Sequence, residues 1–331
     1  MCNGDDIASE ALLARIAVAL TGMGFMLTAA AAEFPERPIR IVVPFAPGGG
    51  SDFVARVIAS RLPEVAGQNG VVDNRPGAAS LLGTQLVANS PNDGYTLLLA
   101  DTPFAVNSTI YSKPGYDPVK SFSPVTQVAT TPLMLAIHPG VAASNVQELI
   151  AFAKAQPKKL AMANSGSGSI THLAGTLFTV TSGIDVTTVP YKGTGPALTD
   201  LMGGQVNAII TTAPSVTPLM KSGKLRVLAV TSAKRSALAP EVPTMLEAGV
   251  KNYVVANWYI LVAVAQTPAA ITTKLHRAFA RILAHHDVVD RFTAALMEVT
   301  PSASPQELGT MIASEMARWG RLAKDAGIRL E

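Results

Sequence analysis

From residue 39 onward, short β-rich apolar runs alternate with stretches whose apolar residues recur at helical spacing. Ile39, Ile41, Val42 and Val43 read as a strand, and Phe53, Val54, Val57, Ile58 and Leu62 behind them form one face of a helix. The same rhythm predicts strands near Val71-Val72 and at Tyr95 to Ala100, Leu160 to Ala163, Val186 to Val189, Val206 to Ile210 and Leu225 to Val230. Helices fall between them, one near Ser80 to Ala88, and Pro91-Asn92-Asp93-Gly94 reads as a turn. Ser144 with Gln147, Thr267-Pro268, and Ser304-Pro305 with Glu307 have the residue types of helix starts. Phe122 to Ile137, and Asn257 to Val262, break the alternation and read as extended chain crossing between two lobes.

Strands alternating with helices predict parallel sheets built from βαβ units. The expected organisation is lobe 1 over residues 33–132, lobe 2 over 133–251, and a return crossing with C-terminal helices over 252–331 that pack back on lobe 1. Residues 1–32 differ in kind. A short apolar run from Ile16 to Leu27 follows Arg15, and Ala29 to Ala32 offer small residues for cleavage, the layout of a secretory signal peptide, although its start is acidic. No other segment approaches 18 consecutive apolar residues, so a soluble exported protein is expected.

With 331 residues the chain is long enough for two cores. Charged residues at 15% and aromatics at 5% fit a compact α/β protein and exclude a disordered one. Cys2 is the sole cysteine and lies within residues 1–32, so beyond them thiol catalysis, disulfides and thiolate metal sites are excluded. Without that segment, which holds Arg15 against Asp5, Asp6 and Glu10, 25 basic residues face 20 acidic ones, a net charge of +5. This mild excess favours anionic ligands diffusely, and no Lys/Arg block points to nucleic acid.

Two glycine-containing turns carry the candidate chemistry. The first strand runs into Phe45, Ala46, Pro47, Gly48, Gly49, Gly50, Ser51 and Asp52; about 120 residues later another runs into Asn164, Ser165, Gly166, Ser167, Gly168 and Ser169, followed by Thr171 and His172. Glycines admit close backbone approach, and a helix start presents unpaired N–H groups, so both turns read as anion cradles. Neither carries Gly-Lys-Ser/Thr, G-x-G-x-x-G or the G-x-S-x-G elbow, which argues against a nucleotide loop or a serine nucleophile. Asp101 and Thr102 end a strand at the sheet edge where α/β proteins bind ligands. Asp101 is read as either a ligand contact or a cap for the next turn. His172, Tyr191, Lys192 and Thr211 complete the candidate set, with exposed charge as the plain alternative for Lys192. Trp258 and Tyr259 read as hinge packing. His285 and His286, adjacent on an expected helix, should point apart and not share a metal.

The chain resembles the substrate-binding receptors of tripartite tricarboxylate transporters, the Bug-type periplasmic binding proteins. The resemblance rests on Pro35-Glu36-Arg37-Pro38-Ile39, Pro44 to Gly49, Asp73-Asn74-Arg75-Pro76-Gly77-Ala78, Asp93 to Leu97, Tyr116-Asp117-Pro118, Thr171 to Gly175, Val189 to Gly193 and Val242-Pro243-Thr244, in that order. It implies an α/β two-lobed periplasmic-binding-protein fold (type II, Venus-flytrap) with a parallel-rich sheet in each lobe. It also implies a small carboxylate held between the two glycine-containing turns, a periplasmic location, membrane permease subunits as partners, a monomer, no cofactor and no catalysis. A carboxylate sensor without a dedicated permease, or a hydrolase or transferase using the same cleft, is the alternative. Asn207 and Thr211-Thr212 stand where the family usually carries acidic residues, Ser108 where it has proline, and Ile260 where it has glycine.

Overall fold

Ile41, Val42 and Val43 are fully withdrawn from solvent, in a strand that is paired on both sides within the first sheet. In the computed structural model, which describes residues 34–236 and 239–325, they belong to β1 (Ile39–Val43). The expected leader, residues 1–32, lies outside the described residues. β1 pairs in parallel with β2 (Gly70–Asn74) on one side and β3 (Thr96–Asp101) on the other. The sheet continues through β9 (Ala256–Val264), antiparallel to β3, and then the first part of β4 (Phe122–Ile137).

The second sheet repeats this plan. β5 (Ala161–Asn164) lies in parallel between β6 (Thr187–Pro190) and β7 (Ala208–Thr212); the end of β4 runs antiparallel to β7, and β8 (Arg226–Val230) pairs with β4. Each sheet therefore reads second, first, third, inserted, fourth, with the antiparallel inserted strand arriving from the other half of the chain. β10 (Glu298–Val299) adds to β4 at Ala129 and Thr130.

The two expected crossings are thus full sheet members. β4 is shared, pairing Pro132 with Ala256 of β9 and the next residue, Leu133, with Thr212 of β7. Sixteen residues of β-rich sequence keep their backbone groups bonded on both sides of that switch, which a free linker would leave unpaired. Thr231 fastens the switch from the side: its hydroxyl accepts from Leu133 N–H at 2.8 Å and donates to Val255 carbonyl at 2.6 Å.

Helices follow the parallel strands: α1 (Gly50–Ala59), α2 (Leu62–Ala66), α3 (Leu81–Ala88) and α4 (Thr102–Ile110) in the first half, and α5 (Val146–Ala155), α6 (Ile170–Ser182), α7 (Thr194–Met202) and α8 (Ala213–Lys221) in the second. α9 (Ala269–Leu283), α10 (His286–Ala294) and α11 (Pro305–Asp325) end the described chain, with α9 against α2 and β4 and α11 against α4 and β4. From Arg37 on, the described residues form a single compact unit. None of their helices is long and apolar enough to cross a membrane.

Three local expectations are corrected. The N-cap of α5 is Asn145, whose side chain accepts from Glu148 N–H, while Glu148 reaches back to Ser144; the motif sits one residue later than Ser144 with Gln147. At α9 Pro268 occupies the N-cap itself, and the Thr267 hydroxyl donates to Val264 instead of capping. His285 lies outside α10 as its N-cap, which lets its ring stack on His286 with centroids 4.7 Å apart. The start of α11 matches its motif, since Glu307 N–H donates to Ser304 Oγ.

Candidate functional site

The first glycine turn is held from behind by Asp52. Its carboxylate accepts from Gly48 N–H at 3.1 Å, Asn74 Nδ2 at 3.1 Å and Arg56 Nε at 2.9 Å. Burial pushes the Asp52 pKa up, but the bonds from Arg56, Gly48 and Asn74 outweigh it and hold the group below its ordinary value. Gly48 has φ +87°, a conformation that costs a residue with a side chain strain. Gly49, the N-cap of α1, has no side chain to cap with, so the first N–H groups of that helix face forward without an intrahelical partner. At Gly50 a Cβ would collide with the Tyr259 hydroxyl and lie 2.6 Å from Thr212 Oγ1.

The second turn is built differently. Gly166 N–H donates to Asn164 Oδ1 at 2.9 Å, Ser165 N–H to Thr171 Oγ1 at 2.7 Å, and Gly168 N–H to His172 Nδ1 at 3.1 Å. Ser169 caps α6 by accepting from His172 N–H, and Ser165, Ser169 and Thr171 share a hydroxyl cluster at 2.9 Å. This turn satisfies much of its own hydrogen bonding and offers hydroxyls, whereas the first offers a bare helix start. Burial lowers the His172 pKa, in keeping with an unprotonated Nδ1 that accepts from Gly168.

The two halves meet over these turns. A Cβ on Gly195 would lie 2.6 Å from Pro47 carbonyl oxygen, and one on Gly49 would lie 3.6 Å from Thr194 Cβ. Tyr111 donates its hydroxyl to Ser167 carbonyl at 2.8 Å, from α4's C-cap to the second turn. Behind this contact lies an outer chamber of about 280 Å³, where Phe45, Ser165, Gly166, Ser167, Tyr191 and Lys192 meet Gly77, Ala78, Ser80, Tyr111 and Pro190. Phe45 and Ser165 also border an inner cavity of about 20 Å³, shared with Gly49, Gly50, Ser51, Asp101, Ile170, Thr171, Thr194, Thr212, Asn257 and Tyr259.

The inner cavity is polar and incompletely bonded. Ser51 donates to Asp101 Oδ2 at 3.4 Å, leaving Asp101 Oδ1 without a partner; Asn257 Nδ2 and the Tyr259 hydroxyl are unpartnered too. Asn257 lies close enough to draw the pKa of Asp101 and of Tyr259 down, and Thr212 does the same for Tyr259. Desolvation dominates and pushes the Asp101 carboxyl up to about 7.

Of the remaining sequence candidates, Ala46, Pro47 and Gly48 line the contact between halves, and Asp52 fastens a turn. Thr102 opens α4, its N–H donating to Asn257 Oδ1, and Thr211 is buried beside Thr194. Asn164 and His172 border a separate small cavity of about 20 Å³ beneath α6. Tyr191 spends its hydroxyl on Asp200 at 2.7 Å. Asn207 precedes β7 and bonds the backbone of Ala161 at 2.8 Å, at the end of the strand away from the inner cavity. Asn257 and Tyr259 were not singled out as site residues. Two-residue alternation was the available signal: both share one face of β9, while Trp258 points into the core and donates to Glu315 at 2.9 Å.

The family model described as "Tripartite tricarboxylate transporter family receptor" matches residues 54–328. Protein BugT of Bordetella pertussis (strain Tohama I) is 38% identical over 323 residues, covering 97% of this chain and 98% of BugT. Among solved structures, the periplasmic binding protein BugD superposes with TM-score 0.88 at 35% identity, covering 90% of this chain and 100% of BugD. Rpa4515 of R. palustris, solved with adipate, gives 0.86 at 37% identity, covering 90% and 99%. On this sequence match and this shared fold, the chain belongs to the tripartite tricarboxylate transporter receptor family, a family of two-lobed solute-binding proteins and not of enzymes.

Proposed function

We propose that this protein is exported to the periplasm, where as a monomer it captures a small organic acid between two lobes and presents it to the membrane subunits of a tripartite permease. Lobe 1 comprises residues 33–132, lobe 2 residues 133–251, and residues 252–331 return to lobe 1. The observation that carries the reading is the uncapped start of α1 bordering the inner cavity, with Phe45 and Ser165 shared between that cavity and the larger outer chamber. Backbone N–H groups and a helix dipole stabilise a carboxylate without a buried counter-charge, and hydroxyls from the other lobe add contacts that exist only when the lobes meet. A ligand touching both lobes favours the closed form by its extra affinity for it. The adipate held by Rpa4515 is consistent with an acid of this size.

A thermal-shift screen of the purified protein against mono-, di- and tricarboxylates, amino acids and aromatic acids tests this. A ligand bound only by the native state raises the melting temperature, by RT ln(1 + [L]/Kd) in free energy. A saturable rise with an acid that is recovered unchanged is expected. No rise across the panel contradicts the reading.

A further inference from the structure

Leu296 stands where the end of a helix favours glycine. α10 closes in a Schellman motif, with Met297 N–H donating to Phe292 carbonyl and Leu296 N–H to Thr293 carbonyl, both at 2.9 Å. Ala295 is the C-cap, and Leu296 after it has φ +60°. Glycine or asparagine takes this left-handed place readily, whereas the Cβ of leucine crowds the following carbonyl. Such strain persists only where the surroundings hold it in place.

What holds Leu296 lies in the other half of the molecule. Its side chain, 7% exposed, packs in an apolar cluster whose other buried members, Met134, Val230 and Val242 among them, all come from residues 134–242 around the second sheet. Its backbone is fastened to the first half. Phe292 packs on Phe53 of α1 with ring centroids 6.0 Å apart, Asp287 pairs with Arg61 at 2.7 Å, and β10, which starts two residues on, pairs with Ala129 and Thr130. Leu296 carbonyl accepts from Thr131 Oγ1 at 3.1 Å, just before β4 switches partners between Pro132 and Leu133.

Its place behind the cleft decides what such a side chain does. Consecutive residues of β9 point to opposite faces, so Ala256 faces away from Asn257 and the inner cavity. Ala256, Pro132, Leu296 and Met297 line a cavity of about 410 Å³ on that rear face. A bend between Pro132 and Leu133 that parts the glycine turns in front drives the rear walls together and pushes Leu296 against its seat. Packed interiors resist added volume.

We propose that Leu296 is an interlobe latch at the rear of the hinge, which favours the closed form and so tunes affinity for the cargo without touching it. This rests on the two-lobed receptor reading and adds a residue outside the cleft that governs closure. A shift toward the open form lowers apparent affinity by the fraction of closed protein lost.

Leu296→Gly and Leu296→Asn test it, because both suit the left-handed backbone and neither fills the apolar seat; Leu296→Met keeps an apolar side chain that reaches it. Each variant is read by calorimetric affinity for the acid giving the largest thermal shift, and by radius of gyration from X-ray scattering with and without that acid. Leu296→Gly and Leu296→Asn should bind about 10-fold more weakly, and Leu296→Met within about threefold of the wild type. Free Leu296→Gly and Leu296→Asn should have a larger radius of gyration than the free wild type, and the same radius when saturated. Unchanged affinity in both, with only the urea midpoint lowered, makes Leu296 a core residue and overturns the inference while the receptor reading stands. A loss as large in Leu296→Met overturns it too. If no acid binds the wild type, the receptor reading fails, and the scattering of the free proteins still decides the latch: an unchanged radius of gyration overturns it.

Discussion

Asp101 shows how one buried residue couples stability to pH. Its carboxyl titrates near 7 when buried and near 3.8 when free, so between these values the native state holds a proton that the unfolded state has lost. Stability from this group is therefore present below about pH 4 and is lost as the pH rises through 7. Asp101→Asn should raise the urea midpoint of the ligand-free protein more at pH 8 than at pH 5; an equal effect at both would contradict the assignment. His172 has the opposite sign. Its lowered pKa means the native state binds fewer protons just below pH 6.5, so acid weakens the second turn as Nδ1 protonates and loses the Gly168 bond. Substituting His172 by Gln should abolish that acid-side loss in a pH series of melting temperatures. These roles were only partly legible in the sequence. Asp101 could be placed at a strand end by its position after Tyr95 to Ala100, but its burial depends on β9, about 155 residues away, as Thr102's bond to Asn257 shows.

At the scale of elements, the paired strand-to-helix turns could be read from glycine, serine and apolar rhythm, and both stand where expected. Their difference could not be read, because it lies in capping: α1 begins with an uncapped glycine, whereas Ser169, Thr171 and His172 close the start of α6 on itself. The crossing strands were legible as extended chain but not as sheet members, since pairing between residues 132 and 256, or 133 and 212, leaves no local signature. Thr231 is the sharpest test of that switch. Replacing it with Val keeps the volume but strands Leu133 N–H and Val255 carbonyl, and should cost about 1–3 kcal/mol in denaturant unfolding. A loss under half a kilocalorie would remove Thr231 from the account. Tyr111→Phe deletes the bond to Ser167 carbonyl and should weaken ligand binding about 3- to 10-fold with little change in the stability of the ligand-free protein.

At the scale of the molecule, two sheets of one plan exchange an inserted strand each, so the halves are joined by β4 and β9 while their glycine turns face each other. Closing such halves on an acid draws affinity from both turns at once, and substitution on either side should therefore be felt in full. The close approach of Gly195 to Pro47 extends this to backbone packing: Gly195→Ala forces the lobes apart at their contact and should reduce affinity without lowering the unliganded melting temperature. The most direct measurement is a calorimetric titration of the acid giving the largest thermal shift, made on the wild type, on Gly48→Val and on Gly168→Val. Both glycines hold positive φ, at +87° and +89°, and a branched side chain at either displaces its turn. One-site binding by the wild type with at least a hundredfold loss in each variant is the predicted result; full affinity in both variants would contradict a site shared between the two turns.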